Sequence, residues 1–290
     1  MTIANQPESA PLITRRAGRL GLPPLDNYFA EAWHYRVFAY HWSRADLKSR
    51  NFETLLGRVW LVLNPFLYGL IYFVFIGIIG GGGLGSTTQL AFIVGNLYIW
   101  SFFSGTISTG AGSIQGGAGG ILAQSAIPRI ILPFASTLTS AQLFFRSMLA
   151  YVPLHIVANR GFHIEMLWIP VLVVLTGLFG FGLALLMAVL NMYFRDVSRL
   201  LPHMLRLWLY LSPAIWVYTT VGGDTTLDTL ARLNPAYSMM TAWTIALGGP
   251  LAETPDITSQ IMITATWAVA VLIIGFMIFV SREDDFVVRN

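Results

Sequence analysis

The chain has 290 residues, of which 55% are hydrophobic and only 11% charged. Its mean hydropathy is +0.65. It has no cysteine, so disulfides and thiolate metal sites are excluded. Its excess of 17 Lys and Arg over 14 Asp and Glu reads as the positive-inside bias of a membrane protein and not as a nucleic-acid footprint.

Residues 1–27 are polar and Pro-rich, with Arg15, Arg16 and Arg19 but no apolar signal-peptide core after them, and they read as a mobile cytosolic tail. In residues 28–43, Phe29, Trp33, Val37, Phe38 and Tyr40 alternate with Glu31, His34, Arg36 and His41 at helical spacing. That pattern predicts an amphipathic helix in the membrane interface, with a packed cytosolic helix as the alternative. A basic segment with Arg44, Lys48, Arg50 and Arg58 follows.

Beyond it, stretches such as 61–80 and 169–193 contain no Asp, Glu, Lys or Arg. A run of about 20 apolar residues matches the bilayer core as a helix. Spans are predicted at about 59–80, 89–110, 131–157, 167–193, 205–221 and 257–280. Pro65 should kink the first span or end its first turn. The expected fold is therefore an all-α polytopic membrane protein, with one domain over 28–290. With the N-terminus in the cytosol, every Lys and Arg except Arg146, Arg160 and Arg232 falls on the cytosolic side. This asymmetry favours an even number of spans and both termini inside.

The available chemistry is narrow. No acidic residue falls well inside a predicted span, which argues against a proton- or sodium-coupled carrier. The five histidines show no metal-ligand spacing, and no metal site is expected. The sole lysine, Lys48, stands in Asp46-Leu47-Lys48-Ser49 without a preceding glycine, so a Walker loop is impossible. Any uphill transport must draw its energy from another polypeptide. Arg146, near mid-span, either faces a wet cavity and meets an anionic substrate, or bonds backbone carbonyls or snorkels. The aromatics Tyr68, Tyr72, Trp100, Phe103, Trp208 and Trp216 are belt or packing residues, or a stacking track for sugar rings.

Several motifs then occur in order. Asp46-Leu47-Lys48-Ser49-Arg50 precedes Leu56-Gly57-Arg58-Val59-Trp60-Leu61-Val62-Leu63-Asn64-Pro65. Gly120-Ile121-Leu122-Ala123-Gln124 leads to Ile127-Pro128-Arg129-Ile130-Ile131-Leu132-Pro133. Tyr193-Phe194-Arg195-Asp196-Val197, Leu211-Ser212-Pro213 and Leu233-Asn234-Pro235 follow. Together they resemble the ABC-2 type permeases, closest to the Wzm-like polysaccharide and polyol phosphate exporters. Within that group the chain is most similar to actinobacterial permeases that flip lipid-linked galactan for the cell wall.

The resemblance implies a homodimeric permease in the cytoplasmic membrane, docked on two copies of a separate ATPase subunit that binds ATP and magnesium. The chain itself would be no enzyme and bind no cofactor. It implies a coupling segment around 113–128, with Ser113, Ile121, Gln124, Pro128, Arg129, Arg195 and Asp196 facing the ATPase. Gln124 departs from the basic residue often found there. It implies re-entrant external gate helices in 222–256, with Asn234, Pro235 and Trp243 at the gate. The substrate path would hold Arg146, Tyr68, Tyr72, Trp100, Phe103, Trp208 and Trp216, and the cargo would be a polyprenyl-diphosphate-linked glycan of O-antigen, teichoic acid or galactan type. A drug or lipid efflux permease is the alternative, and a membrane-embedded enzyme acting on lipid-linked sugars is a third reading.

Overall fold

The computed structural model describes residues 24–49, 59–79, 85–115, 127–215, 233–249 and 255–283. Ile121, Gln124 and Trp216 lie outside these residues. Among the described residues the secondary structure is helical throughout. In chain order it comprises α1 (Leu25–His34), α2 (Arg36–Ser49), α3 (Trp60–Ile79), α4 (Thr87–Gly112), α5 (Ile131–Val157), a 3-10 turn (Ile164–Trp168), α6 (Ile169–Tyr193), α7 (Val197–Tyr210), α8 (Pro235–Ala246) and α9 (Ile257–Ser281).

Among the described residues, three helical stretches are long and apolar enough to cross a membrane: Thr87–Gly112, Ile164–Tyr193 and Ile257–Ser281. The protein is thus an integral membrane protein by composition. α5 has 27 residues but carries more polar ones, and α3 has a shorter apolar core, Leu63–Ile78.

α4 is the axis of the bundle. All residues from Ala91 to Trp100 are buried in succession, on every side of the helix. A helix that is apolar all round must be surrounded, and α4 packs against α3, α5, α6, α7 and α8. α6 packs on its other flank against α9. In lipid, helices gain little from hydrophobic burial against one another, so close backbone approach matters instead. At the α6–α9 crossing a Cβ on Gly182 would stand 2.7 Å from Leu272 Cα, and one on Gly275 would strike the Gly182 carbonyl oxygen. Only hydrogen at both positions lets the two backbones touch.

The interface region differs from the single helix expected over 28–43. It forms two helices broken at Tyr35, where the α-helical ψ is lost (φ −85°, ψ 8°). α1 lies on α9, with Tyr28 edge-on to Phe276 at 6.0 Å and Phe29 stacked on the same ring at 4.9 Å. α2 lies on α5, where Gln142 Nε2 donates to Ser43 Oγ at 2.6 Å. Trp33, Val37 and Tyr40 remain exposed, with Arg36 over the Trp33 ring at 4.7 Å. Pro65 does not interrupt α3, which runs through it from Trp60. Pro65 is the sixth residue of α3, so its missing N–H removes the bond an interior residue would make to the carbonyl four residues earlier.

The region expected as a span over 205–221 is also built differently. Its helix starts earlier, at Val197, ends at Tyr210, and gives way to a turn at 211–215 that contains Pro213. Residues 216–221 lie outside the described ones.

Candidate functional site: a polar cavity between three helices

A cavity of about 310 Å³ opens between α3, α4 and α7. From α3 it is lined by Asn64, Pro65, Tyr68 and Tyr72. α4 contributes Leu97, Trp100, Ser101, Ser104 and Ser108. α7 contributes Pro202, Leu205, Arg206 and Leu209. The spacings explain the lining. Ser101, Ser104 and Ser108 follow at i, i+3 and i+7, a single stripe on α4. Leu205 and Leu209 face α4 and are buried, while Arg206, one residue round the helix, is exposed toward the opening. Tyr72 and Tyr210 bridge α3 and α7 through their hydroxyls at 3.1 Å.

The wall behind the cavity is aromatic. Trp100 meets Trp208 edge-on at 6.1 Å, and Phe103 touches both rings, at 5.5 and 5.4 Å. Phe179 of α6 closes the cluster at 5.0 Å from Phe103. Phe103 is fully buried, so it supports the wall and does not line the space. Of the expected path residues, Tyr68, Tyr72 and Trp100 therefore share one cavity, and Trp208 stands directly behind it.

Arg146 is placed elsewhere. It is exposed on α5 beside Phe145 and Leu149 and takes no part in this lining. The cation of the cavity is Arg206, which the sequence reading passed over because it fell at the edge of a predicted span. The serine stripe is equally inconspicuous in the sequence, because serines carry neither charge nor ring and stand among aromatics. Its 3-and-4 spacing in the sequence was the available signal.

Asn234 joins the wall to the next helix. Its Oδ1 accepts from Trp208 Nε1 at 2.7 Å and from the backbone N–H of Ala236 at 3.0 Å. Its Nδ2 donates to the Leu211 carbonyl and to Ser212 Oγ, both at 3.0 Å. The Leu211-Ser212-Pro213 and Leu233-Asn234-Pro235 motifs thus meet in space. Asn234 caps α8 while holding the end of α7. Pro235 occupies the first helical position, where its missing N–H costs nothing. Trp243 is fully buried on α8 and donates its Nε1–H to the Gly95 carbonyl of α4 at 3.0 Å.

The two ends of the bundle carry different chemistry. At one end Asn191, fully buried, donates Nδ2 to the Ala111 carbonyl at 3.0 Å and accepts at Oδ1 from the Ser198 N–H at 3.2 Å. Its own carbonyl accepts from Gln115 Nε2. One side chain and its peptide so tie together the end of α4, the end of α6 and the start of α7. Ser113 closes α4 at this end, its Oγ donating to the Gly110 carbonyl at 2.7 Å. Arg195 and Asp196 are exposed in the adjoining turn. Pro128 and Arg129 are buried, and the Arg129 N–H donates to Glu283 Oε1 at 2.8 Å, which fixes the entry to α5 against the end of α9. All the described residues expected to couple to an ATPase therefore gather at one end, though two of them are inside it. At the opposite end lie Arg160, His155, His163, Glu165 and Asp256.

No protein-family model matches the chain. It is 25% identical over 260 residues to the O-antigen export system permease protein RfbA of Myxococcus xanthus, covering 88% of this chain and 96% of that protein. The chain is similar to O-antigen export permeases. The RfbA permeases of Klebsiella pneumoniae match at 24% and 23% identity, over 68% of this chain and 75% of theirs. These likenesses bear out the Wzm-like resemblance read from the motifs.

Proposed function

We propose that the chain is the membrane subunit of an ABC exporter that moves a polyprenyl-diphosphate-linked polysaccharide across the cytoplasmic membrane. Two copies assemble with two copies of a separate ATPase that binds ATP and magnesium. The observation that carries this reading is the match to an O-antigen export permease along nearly the whole of both chains. The six-span arrangement with both termini cytosolic is part of this reading, and the basic residues and the chain's course support it. α3, α5 and α7 start at the end that holds Arg129 and Asn191, and α4, α6 and α9 finish there. In this reading α8 is an external re-entrant helix whose inner end is pinned at Asn234, with Trp243 anchoring it and not swinging as a gate.

The cavity supplies chemistry suited to such a cargo. Arg206 offers a planar guanidinium to a diphosphate, a charge-assisted contact that lysine reproduces only in part. The serine stripe offers hydroxyls to sugar hydroxyls, and Tyr68 and Trp100 offer ring faces. Arg146 is a second deep charge. It sits 15 residues into α5, about 22 Å along the axis at 1.5 Å per residue. Facing lipid there would cost a few kcal/mol, so its face of α5 turns toward the second copy or the conduit between copies. The exposed Arg195–Asp196 turn and the neighbouring end of α4 form the surface that meets the ATPase.

Reconstitution tests the reading. Vesicles holding the chain and its ATPase should move a lipid-linked glycan to the opposite leaflet on addition of ATP, and vesicles with either subunit alone should not. ATP-driven movement of a hydrophobic drug with no movement of glycan would favour the efflux alternative.

A further inference from the structure

The end of the bundle away from Asn191 contains a buried cation that has no counter-charge among the described residues. Arg160 is only 7% exposed, and His155 only 4%. Arg160 follows the end of α5 by three residues, and its loop is bent by Asn159 at φ 52°. Arg160 Nη1 donates to the Tyr151 hydroxyl at 3.4 Å, and that hydroxyl stands 3.4 Å from His155 Nδ1. Arg160 Nε and Nη2 make no hydrogen bond, and neither does His155 Nε2, although the Gly161 backbone stands close to the His155 ring.

The pattern of free donors is informative. Nε and Nη2 are the two parallel N–H groups on one edge of the guanidinium, the edge that grips an oxyanion with two bonds. The Tyr151 hydroxyl accepts from Arg160, so its own proton is available to His155 Nδ1. With that hydroxyl donating to Nδ1, the imidazole proton would stand on Nε2 and make it a third donor. A guanidinium stays charged at any physiological pH, and a buried charge without a partner costs several kcal/mol. Neither Glu165 nor Asp256, the described carboxylates at this end, pairs with it. The cluster lies at the C-terminal end of α5, which on the six-span reading is the depth of lipid headgroups. Phe162, exposed at the surface, stands with its ring 5.9 Å from that of His155.

We infer that Arg160 and His155 form a binding site for a phosphoryl oxyanion, borne by a membrane lipid or free in solution, at the end of the bundle opposite the α6–α7 turn. Arg160 holds two oxygens through Nε and Nη2, and His155 Nε2 holds a third. Tyr151 orients both side chains from behind. The site is separate from the cavity between α3, α4 and α7, and it stands whether or not the transport reading holds.

The test uses the full chain purified in a maltoside detergent free of phosphate. Inorganic phosphate and a short-chain phosphatidylglycerol are titrated separately, with chloride as the control, and binding is read by tryptophan-detected thermal shift and native mass spectrometry. Saturable binding of either phosphate species is expected, with affinity lowered at least about tenfold in Arg160→Gln and severalfold in His155→Gln. Binding of inorganic phosphate identifies a free anion as sufficient, and binding of the lipid alone identifies the headgroup. Arg160→Lys, which keeps the charge but loses the fork, should bind weakly and serves if Arg160→Gln does not fold. The inference is overturned if neither species binds the wild type, if the variants that fold bind as tightly as the wild type, or if a high-resolution map in phosphatidylglycerol places only water on the free guanidinium edge.

Discussion

Replacing Asn234 by alanine should loosen the junction of α7 and α8 by an amount that can be worked from its bonds. The amide makes four hydrogen bonds, two as acceptor and two as donor. At a net value of about 1 kcal/mol each, their loss would cost about 4 kcal/mol. Asn234 is half-buried, so water recovers part of this, and about 2–3 kcal/mol is the expected outcome. Ser212→Ala removes two bonds, the one from Asn234 and the one Ser212 donates to the Trp208 carbonyl at 2.8 Å, and should cost about 1–2 kcal/mol. The two changes share one bond, so the double variant should be less damaging than the sum by about 1 kcal/mol. The measurement is reversible unfolding in mixed micelles titrated with dodecyl sulfate. A cost below about 0.5 kcal/mol for Asn234→Ala, or strict additivity with Ser212→Ala, would refute the claim that this amide fastens α8 to the wall of the cavity.

Arg206→Ala should lower glycan export at least about tenfold and Arg206→Lys less, with normal assembly in both, as scored in reconstituted vesicles; unchanged export in the alanine variant would remove Arg206 from the path. Arg195→Glu, on an exposed turn, should leave folding intact but uncouple ATP hydrolysis from export, whereas full coupling would place the ATPase contact elsewhere. Gly275→Leu should force α6 and α9 apart and cost about 3 kcal/mol or more, with Gly275→Ala milder, measured as the fraction of monodisperse protein recovered; equal recovery of wild type and leucine variant would contradict the close crossing. The purified chain without its partner should turn over no ATP, and activity that survives removal of every ATPase subunit would overturn the transport assignment.

Much of the architecture was legible in the chain itself. Uninterrupted apolar runs report helix length directly, because a bilayer imposes one thickness on every crossing, and so the bounds of α4, α5, α6 and α9 fall within a few residues of those predicted. The end at which charges gather was legible too, since arginine placement follows topology and not packing. Ordered motifs at fixed spacing carried the family resemblance, which needs no coordinates. What the sequence left open is which face of each helix meets which neighbour. α3 and α6 are apolar nearly all round, so their periodicity carries no direction, and on α4 only the serine stripe does; aromatics that look equivalent in a list separate into the lining Trp100 and the wholly buried Phe103. Arg146 and Arg206 likewise look alike as lone cations in apolar segments. The packing of α7 against α4 puts Arg206 at a cavity, while the outward face of α5 leaves Arg146 apart from it. The junction at Asn234 and the orphaned donors of Arg160 arise from contacts over long separations, 22 to 26 residues in the first case, and a residue's unmet hydrogen bonds can be counted only once its neighbours have been folded around it.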